Sequence, residues 1–391
     1  MKKSVKITML VWTVLAVAVI AVQLIGFSTN EASEYDKSIK YSDSYFRDGL
    51  ARYTVGDKIG YINQSGEMVI EPVYEEARDF KYGLAAVKTS ESKFGYINTE
   101  GKLVINCRFD DVGDFNCGLA WVKTGERYGY INAEGKYVIK ESYDYAGDFS
   151  SGVAAVKTND MYGIINKEGK WVVEPTYDSV KAINNGIIPV KQGGKWGYIT
   201  TKGKKLASCI YDEVRSYYNG FGAVKYKGKW GFLNSNGEKI NKYRFQGVRD
   251  FRNGFAAVNY RGKWGFINKT GDVVVDYYFD DAKDFGKTAV PVKTAGKWGL
   301  LNSNAMWIVS PVYDYISEIN NNKVFYVRGS KAGIMTYDGT SIYKAKDFNT
   351  SKIEENYVMK RDGYTLIMGK DGWKLISNKG KIIQIKQKTV E

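Results

Sequence analysis

Three observations on the sequence predict an all-β repeat protein. The chain has 391 residues, with 42 glycines, 31 tyrosines and only 5 prolines, a composition that suits short strands joined by tight turns. A glycine in a Trp-Gly or related pair recurs every 34 residues, apart from one interval of 35. Short apolar runs alternate with turn residues between these glycines. The glycines are Gly60, Gly95, Gly129, Gly163, Gly197, Gly231, Gly265, Gly299 and Gly333.

The repeat is assigned to the β class by its glycines. Helical tetratricopeptide repeats share the 34-residue period, but several fixed glycines would each cost a helix about 1 kcal/mol. In the unit around Trp264, strands are predicted at residues 255–259, 263–268 and 272–277. Asn268 and Gly271 predict a type I turn followed by a left-handed residue. The loop at 279–285 is expected to form one helical turn with an acid near its N-terminal end.

The number of units decides the predicted architecture. Three strands in each of nine or ten units give roughly 28 strands, whereas closed propellers normally have 4–8 blades. We therefore predict tandem 34-residue three-stranded antiparallel β-meander repeats in an open superhelical array, with a closed propeller-like ring as the alternative. The repeats occupy 44–350, and 351–391 forms a degenerate repeat and C-terminal cap. In that last unit Tyr364-Thr365 is preferred to Trp373-Lys374 as the Trp-Gly equivalent.

The N-terminal segment predicts one transmembrane helix before the repeats. Residues 1–6 carry three lysines, residues 7–28 are uncharged and mostly apolar, and residues 29–43 form a polar linker. The uncharged run is long enough to span a bilayer and lacks a good cleavage site, which favours an uncleaved anchor over a signal peptide. The positive-inside rule then places residues 1–6 in the cytoplasm and the repeats outside. A secreted, cleaved chain is the alternative.

The repeated motifs resemble those of the bacterial WG-repeat family. Lys-Trp-Gly stands at 195–197, 229–231, 263–265 and 297–299, with relaxed forms at 93–95, 127–129 and 161–163. The Gly-x-Ala-x-Val-Lys and Tyr-Asp elements around these motifs match as well, over roughly residues 44 to 350. The resemblance implies a β-rich array and assigns no activity.

Composition also limits the possible functions. The chain has no histidine, which excludes histidine general bases, histidine-activated nucleophiles and histidine metal sites. We expect a non-enzymatic protein without cofactor or metal, although a carboxylate-based hydrolase stays a remote alternative. The formal net charge of +14 predicts attraction to polyanions. The expected partner is a cell-envelope polyanion or glycan, such as a teichoic-acid-like polymer, or a protein; nucleic acid is not favoured, and the oligomeric state stays open.

Candidate contact residues differ from the motif residues. Phe, Tyr and Ile replace the motif tryptophans in other repeats, as expected of a core position. The motif residues assigned to the core are Trp196, Gly197, Trp230, Gly231, Trp264, Gly265, Trp298 and Gly299. A column at the start of the third strand tolerates lysine and is therefore partly exposed, while Trp121 replaces an alanine of other repeats. The candidate binding residues are Trp121, Tyr137, Trp171, Lys205, Lys239 and Trp307.

Acidic and sulfur side chains receive structural interpretations. The doublets Asp110-Asp111 and Asp280-Asp281 could suggest a glycosidase pair or a calcium site, but their recurrence favours a role in capping loops. The cysteines Cys107, Cys117 and Cys209 have no CxxC spacing. Buried free thiols are favoured, with a Cys107–Cys117 disulfide left open.

Overall fold

The computed structural model describes residues 46–345, 357–359, 364–369, 372–377 and 379–383. Within these ranges the chain forms strands, turns and bends without a helix, in agreement with the all-β prediction. The strands build ten antiparallel sheets, called sheet 1 to sheet 10 in chain order.

The first five sheets run from residue 50 to residue 211. Sheet 1 contains β1 (Leu50–Val55), β2 (Lys58–Asn63) and β3 (Met68–Tyr74), and sheet 2 contains β4 (Glu76–Ala77), β5 (Leu84–Lys88), β6 (Phe94–Asn98) and β7 (Leu103–Phe109). Sheet 3 contains β8 (Asp111–Val112), β9 (Ala120–Thr124), β10 (Arg127–Ile131) and β11 (Tyr137–Tyr143). Sheet 4 contains β12 (Tyr145–Ala146), β13 (Val153–Thr158), β14 (Met161–Asn166) and β15 (Trp171–Tyr177), and sheet 5 contains β16 (Ser179–Val180), β17 (Ile187–Gln192), β18 (Lys195–Thr200) and β19 (Lys205–Tyr211).

The other five sheets follow without a change of order. Sheet 6 contains β20 (Glu213–Val214), β21 (Gly222–Tyr226) and β22 (Lys229–Leu233), and sheet 7 contains β23 (Gly247–Val248), β24 (Phe255–Tyr260), β25 (Lys263–Asn268) and β26 (Val273–Phe279). Sheet 8 contains β27 (Asp281–Ala282), β28 (Ala289–Thr294), β29 (Lys297–Asn302) and β30 (Trp307–Tyr313). Sheet 9 contains β31 (Tyr315–Ile316), β32 (Lys323–Arg328), β33 (Lys331–Thr336) and β34 (Ser341–Ala345), and sheet 10 contains β35 (Tyr357–Met359), β36 (Thr365–Gly369), β37 (Gly372–Ile376) and β38 (Ile382–Ile383).

Eight of the ten sheets in the described ranges have one more strand than the sequence predicted, while sheets 1 and 6 have three. The three predicted strands around Trp264 correspond to β24, β25 and β26, but a two-residue strand, β27, follows almost at once and starts the next sheet. The helical turn predicted there is wrong. The amide of Asp280 donates to the carbonyl of Lys293 at 2.8 Å, and Ala282 pairs with Val292. Because the next sheet takes up these backbone groups, the segment stays extended.

The two turns of the unit have the predicted chemistry. Between β24 and β25, Arg261 and Gly262 have φ of 53° and 83°, as a two-residue hairpin of type I′ requires. Between β25 and β26, the side-chain oxygen of Asn268 accepts hydrogen bonds from the amides of Thr270 at 3.1 Å and Asp272 at 2.9 Å. Gly271 has φ of 88°, the left-handed residue expected at the end of this turn.

The apolar core lies between neighbouring sheets. Phe94, Ile105 and Phe109 of sheet 2 pack against Val112 and Val122 of sheet 3, and comparable clusters join each sheet to the next. A sheet in the middle of the array is thus covered on both faces. One unit alone would leave its apolar faces in water, so stability depends on stacking.

The two ends of the described array meet. The ring of Phe46, just before sheet 1, contacts the ring of Tyr364 beside sheet 10, with centroids 4.8 Å apart. The face of sheet 1 turned away from sheet 2 is closed, with Tyr53 and Ile62 at most 1% exposed. Leu375, which alternation turns away from sheet 9, is 3% exposed. These contacts correct the prediction of an open superhelical array and match the ring alternative, because an open array would leave two uncovered faces.

Sheet 10 also corrects the register predicted for the last unit. Its central hairpin pairs Gly369 with Gly372 and Met368 with Trp373. The turn after β37 carries a hydrogen bond from the amide of Gly380 to the carbonyl of Ser377, as the turns after the other motif strands do. Trp373-Lys374 therefore occupies the Trp-Gly position, and the preferred assignment of Tyr364-Thr365 was wrong.

The predicted cytoplasmic stub at 1–6, membrane helix at 7–28 and linker at 29–43 lie outside the described residues. Among the residues that are described, no helix is long and apolar enough to cross a membrane.

Candidate functional site

The loops that follow the two-residue strands lie close together in successive sheets. We call these the inner loops; in sheet 7 the inner loop is residues 249–254. The guanidinium of Arg249 lies 3.6 Å from a carboxylate oxygen of Asp281 in sheet 8 and 3.5 Å from one of Glu318 in sheet 9. Since one side chain reaches the next two sheets, successive inner loops must lie close together.

Cations from the inner loops cover the aromatic residues of the Trp-Gly motif. The first inner-loop residue is basic in most sheets. Its charged group lies above the motif ring, the ring of the aromatic residue in the Trp-Gly motif of the same sheet. The distances to the ring centroid are 5.9 Å for Arg78 over Phe94, 4.5 Å for Lys181 over Trp196, 5.4 Å for Arg215 over Trp230, 5.6 Å for Arg249 over Trp264 and 5.1 Å for Lys283 over Trp298. Such cation–π pairs are stabilising at this range. The motif ring is thus part of the packing in these sheets.

Three of sheets 2 to 9 depart from this pattern: sheet 9 has Ser317 in place of the cation, and sheets 3 and 4 have glycine. In sheet 3 the indole of Trp121 takes the vacated space, and a Cβ on Gly113 would lie 2.2 Å from its Nε1. The same Nε1 donates to a carboxylate oxygen of Asp148 at 2.8 Å. In sheet 4 the atoms nearest to a Cβ on Gly147 would be the Ala155 carbonyl oxygen, at 3.3 Å, and the hydroxyl oxygen and Cε1 of Tyr145, at 3.6 Å and 3.7 Å. Because residue 155 is an alanine where sheet 3 has Trp121, no indole covers Gly147, and an opening lies beside it.

A run of aromatic rings borders this opening. The centroids of Trp121 and Tyr128 are 5.7 Å apart, those of Tyr128 and Tyr145 are 6.1 Å apart, and those of Tyr145 and Tyr162 are 5.8 Å apart. Tyr145 is the most open of these rings, at 43% exposure. The run thus joins sheets 3 and 4 and offers one accessible aromatic surface.

A cavity of about 630 Å³ lies at this place, between the inner loops of sheets 2 to 5. This volume is in the range of pockets that hold small organic ligands. The lining is mixed, with three cations, two carboxylates, an amide and four aromatic rings. These side chains are Arg78, Lys81, Lys181, Asp114, Asp148, Asn116, Trp121, Tyr145, Phe149 and Tyr162.

Two charged groups of the cavity, Asp114 and Lys81, form neither a side-chain hydrogen bond nor an ion pair with the described residues. The half-buried carboxylate of Asp114 accepts no hydrogen bond there, and Lys81 forms no ion pair. Burial raises the pKa of Asp114, although the charges of Arg78 and Lys81 oppose this shift. In other sheets the equivalent acids have arginine partners, such as Asp79 with Arg52 at 2.8 Å. An acid kept without a partner costs stability, which is typical of functional positions.

The six predicted binding residues lie in two different regions of the structure. Trp121 lines the cavity between the inner loops. The other five lie at the opposite edge of their sheets, at or near the start of the last strand, which we call the outer strand. The ring of Tyr137 meets Phe109 at 6.3 Å, that of Trp171 meets Tyr143 at 6.0 Å and that of Trp307 meets Phe279 at 6.3 Å. Each aromatic thus packs on the preceding sheet while staying partly exposed, and Lys205 and Lys239 are exposed.

Sequence reasoning missed most of the cavity. Gly113, Gly147, Asp114, Lys181 and Tyr145 were not singled out, because each is unremarkable within its own repeat. The available signal was that two departures from the repeat occur together. Two successive repeats lack the basic inner-loop residue, and in the first of them Trp121 replaces an alanine.

The recurring acids join neighbouring sheets. A carboxylate oxygen of Asp280 accepts from the ammonium of Lys263 at 2.6 Å, and its second oxygen accepts from the amide of Gly296 in the next sheet at 3.3 Å. Asp212 binds Lys195 at 2.7 Å and the amide of Gly228 at 2.9 Å in the same way. The lysine of Lys-Trp-Gly, the acid and the turn glycine therefore form one repeated clamp. The predicted capping role is present, with a hairpin turn in place of a helix.

These clamps predict a loss of stability in acid. Hydrogen bonds from Lys263 and from the amide of Gly296 lower the pKa of Asp280, and Lys195 and the amide of Gly228 do the same for Asp212. A lowered folded-state pKa contributes stability above the unfolded value near 4, and this is lost as pH falls through the folded value. We expect the melting temperature to be level from about pH 5 to 8 and to fall below about pH 4.

Thermal melts followed by circular dichroism at several pH values measure this dependence. Asp280→Asn should weaken the acid-side decline, whereas Asp276→Asn, at an exposed position of the same sheet, should leave it unchanged. A decline of equal steepness in all three proteins would contradict the clamp as its source.

The remaining side-chain predictions concern cysteine and metal. Cys107, Cys117 and Cys209 are free and half-buried, so the disulfide left open does not form. Cys209 and Lys205 line a second cavity of about 350 Å³ with Tyr177. Over the described ranges, no cluster of three or more Cys, Asp or Glu side chains could hold a metal ion.

Comparisons with known proteins agree with the repeat organisation. The model of the WG containing repeat matches eight times in tandem, at residues 59–91, 94–128, 128–162, 162–196, 196–230, 230–264, 264–298 and 298–331. No curated protein matches the chain.

Many solved structures resemble the chain at low identity. A crystal structure of the eukaryotic initiation factor has a TM-score of 0.46 and 13% identity, covering 76% of this chain and 96% of its own. The structure of BamB from Moraxella catarrhalis has a TM-score of 0.32 and 12% identity, covering 77% and 98%. The computationally designed Ika8 protein has a TM-score of 0.32 and 9% identity, covering 68% and 93%. Similarity at this level carries no inference about function. The eight tandem matches, which span more than half of the sequence, show that the chain belongs to the WG containing repeat family.

Proposed function

We propose that this protein is a membrane-anchored, extracytoplasmic binding module that presents its β array to a cell-envelope polymer. The observation that carries the binding role is the cavity at Trp121, where two adjacent repeats lack the inner-loop cation and a pocket lined by charged and aromatic side chains opens. The net positive charge of the chain favours an anionic polymer on the array outside this cavity. The distinguishing feature is the combination of glycine at 113 and 147 with Trp121 in place of an alanine, which places the cavity at this point of the array.

The location rests on the sequence. The uncharged stretch at 7–28, with lysines before it and acids after it, supports an anchor that places the array outside the cytoplasm. Removing Lys2, Lys3 and Lys6 from the total of +14 leaves about +11 on the exported part. A surplus of this size favours anionic polymers as partners.

Electrostatic attachment predicts salt-sensitive retention. The full-length chain should bind purified cell wall at about 50 mM NaCl and be released as the salt rises toward 0.5 M, since screening shortens the range of exposed charges. Sedimentation with the wall fraction measures the bound share. Retention that does not change with salt would contradict the electrostatic proposal, and the same wall stripped of its anionic polymers serves as the control.

A scaffold for a protein partner is the second candidate. It is favoured by large apolar side chains exposed on the outer strands, among them Tyr278 at 68%, Val138 at 47% and Trp307 at 42%. Exposed apolar groups of this kind are common at interfaces. Crosslinking that returns one stoichiometric protein, together with no affinity for the wall, would favour this candidate.

We propose binding without turnover. The first acid of each recurring doublet is used in an inter-sheet clamp, and the second lies beside an arginine of the preceding sheet. Asp148 holds the indole of Trp121 and the amide of Asn116. The remote alternative is a hydrolase that uses two carboxylates. Asp114 and Asp148, which line the same cavity, would be its catalytic pair. Release of reducing ends from a bound glycan, abolished by Asp114→Asn, would establish that alternative.

A further inference from the structure

The accessible ring in the cavity suits an uncharged ring with a nonpolar face. Tyr145 is 43% exposed and lies between Tyr128 and Tyr162 in the aromatic run. The faces of aromatic rings carry partial negative charge and attract polarised C–H groups, which line one face of a pyranose. Sugar rings therefore meet the shape and polarity of this surface.

The charge balance of the cavity argues against a polyanion at this place. Arg78 is already paired, with its guanidinium 3.0 Å from a carboxylate oxygen of Asp111. This leaves Lys81 and Lys181 against Asp114 and Asp148. With two positive and two negative groups, the cavity has no surplus for a phosphate or uronate, although the chain as a whole is basic.

The same four groups suit hydroxyl groups. A hydroxyl can donate to the carboxylate of Asp114, which accepts no hydrogen bond from the described residues, and accept from the ammonium of Lys81. Asn116 adds an amide whose nitrogen reaches Asp148 at 3.3 Å. Neighbouring hydroxyls on a saccharide offer donors and acceptors a few ångströms apart, whereas an apolar ligand would leave these groups unsatisfied.

We propose that the cavity between the inner loops of sheets 2 to 5 binds a neutral oligosaccharide, with one sugar ring stacked on Tyr145 and its hydroxyls on Asp114 and Lys81. This rests on the proposed function and names the ligand class of its pocket. Lysine and arginine side chains elsewhere on the array would hold the anionic polymer, and the cavity would recognise an uncharged sugar.

The repeat supplies matched variants for the test. Tyr145→Ser, Trp121→Ala and Gly147→Lys each introduce the residue that another sheet has at the same position, namely Ser179, Ala155 and Lys181. The array already accommodates these residues, so each variant should fold. Tyr145→Ser removes the ring on which the sugar is proposed to stack. Trp121→Ala removes the indole that lines the cavity, and Gly147→Lys places a side chain in the space above Tyr162. Tyr315→Ser makes the first change in sheet 9, outside the cavity, as the control.

The probes are neutral gluco-, galacto-, manno- and N-acetylglucosamine oligosaccharides. Binding to the full-length chain, kept in a detergent without a sugar headgroup, is followed by saturation-transfer NMR and calorimetry. We expect at least one series to bind with little salt dependence, and each cavity variant to weaken it about tenfold or more. Tyr315→Ser should bind like the unaltered chain.

Two results would overturn the proposal: no oligosaccharide binds the unaltered chain, or the cavity variants bind as it does. Wall retention separates this failure from that of the proposed function. Variants that lose the neutral sugar and keep salt-sensitive retention support a separate cavity site. If the unaltered chain is not retained on the wall, the polymer proposal is contradicted. Binding of sugar in the cavity is then decided by the oligosaccharide measurements alone.

Discussion

Gly265→Ala is expected to lower the free energy of unfolding by about 3 kcal/mol, because the added methyl group would overlap backbone. A Cβ at this position would lie 2.5 Å from the carbonyl oxygen of Val275 and 2.9 Å from backbone atoms of Asp276. Trp264 pairs with Phe279 and Phe266 with Val275, so the outer strand bulges toward the glycine between them. Backbone cannot rotate away as a side chain can. Urea denaturation followed by tryptophan fluorescence measures the change.

Gly262→Ala is the matched control in the preceding turn. Gly262 has φ of 83° and nothing within 4 Å of an added Cβ, so only the left-handed backbone is penalised, by about 1 kcal/mol. A similar loss in the two variants would show that backbone conformation, and not the close approach of the outer strand, explains the motif glycine. The conserved spacing of the glycine through the chain would then lack its structural explanation.

This close approach shows why the sequence predicted so much of the unit. The glycine is required wherever the bulge occurs, and the bulge recurs in nearly every sheet, so its 34-residue period is visible in one sequence. The turn at Asn268 is local as well: its side chain bonds amides two and four residues ahead. Features that depend on neighbours in sequence were therefore predicted at their correct places.

Features that depend on other sheets were not predicted. The two-residue strand Asp281–Ala282 exists only because the following sheet pairs with it. Closure of the array depends on small angles between sheets, which accumulate over ten units and leave no mark on the residues of one unit. The cavity arises from the absence of a cation at Gly113 and Gly147, and an absent side chain forms no motif. Trp121 was singled out because it adds a large side chain where the repeat has a small one.

Tyr130→Ala is expected to have the other large effect on stability, about 4 kcal/mol. Tyr130 is fully buried between sheets 3 and 4, where its ring meets that of Phe149 with centroids 4.8 Å apart. Its hydroxyl donates to the carbonyl of Gly147 at 2.7 Å. The alanine leaves a cavity in the interface and an unsatisfied carbonyl. Urea denaturation, read by tryptophan fluorescence and by far-ultraviolet circular dichroism, gives the loss and shows whether the array still unfolds as one unit.

Tyr130→Phe separates packing from the hydrogen bond. Phe232 and Phe266 occupy the same position in sheets 6 and 7, so the ring alone is compatible with the array. We expect a loss of about 1–2 kcal/mol, the cost of one buried carbonyl without a donor. Because Gly147 and Phe149 line the Trp121 cavity, the phenylalanine variant should also bind its ligand less tightly while remaining folded. If the alanine and phenylalanine variants lose equal stability, the hydrogen bond and not the packing holds the two sheets together.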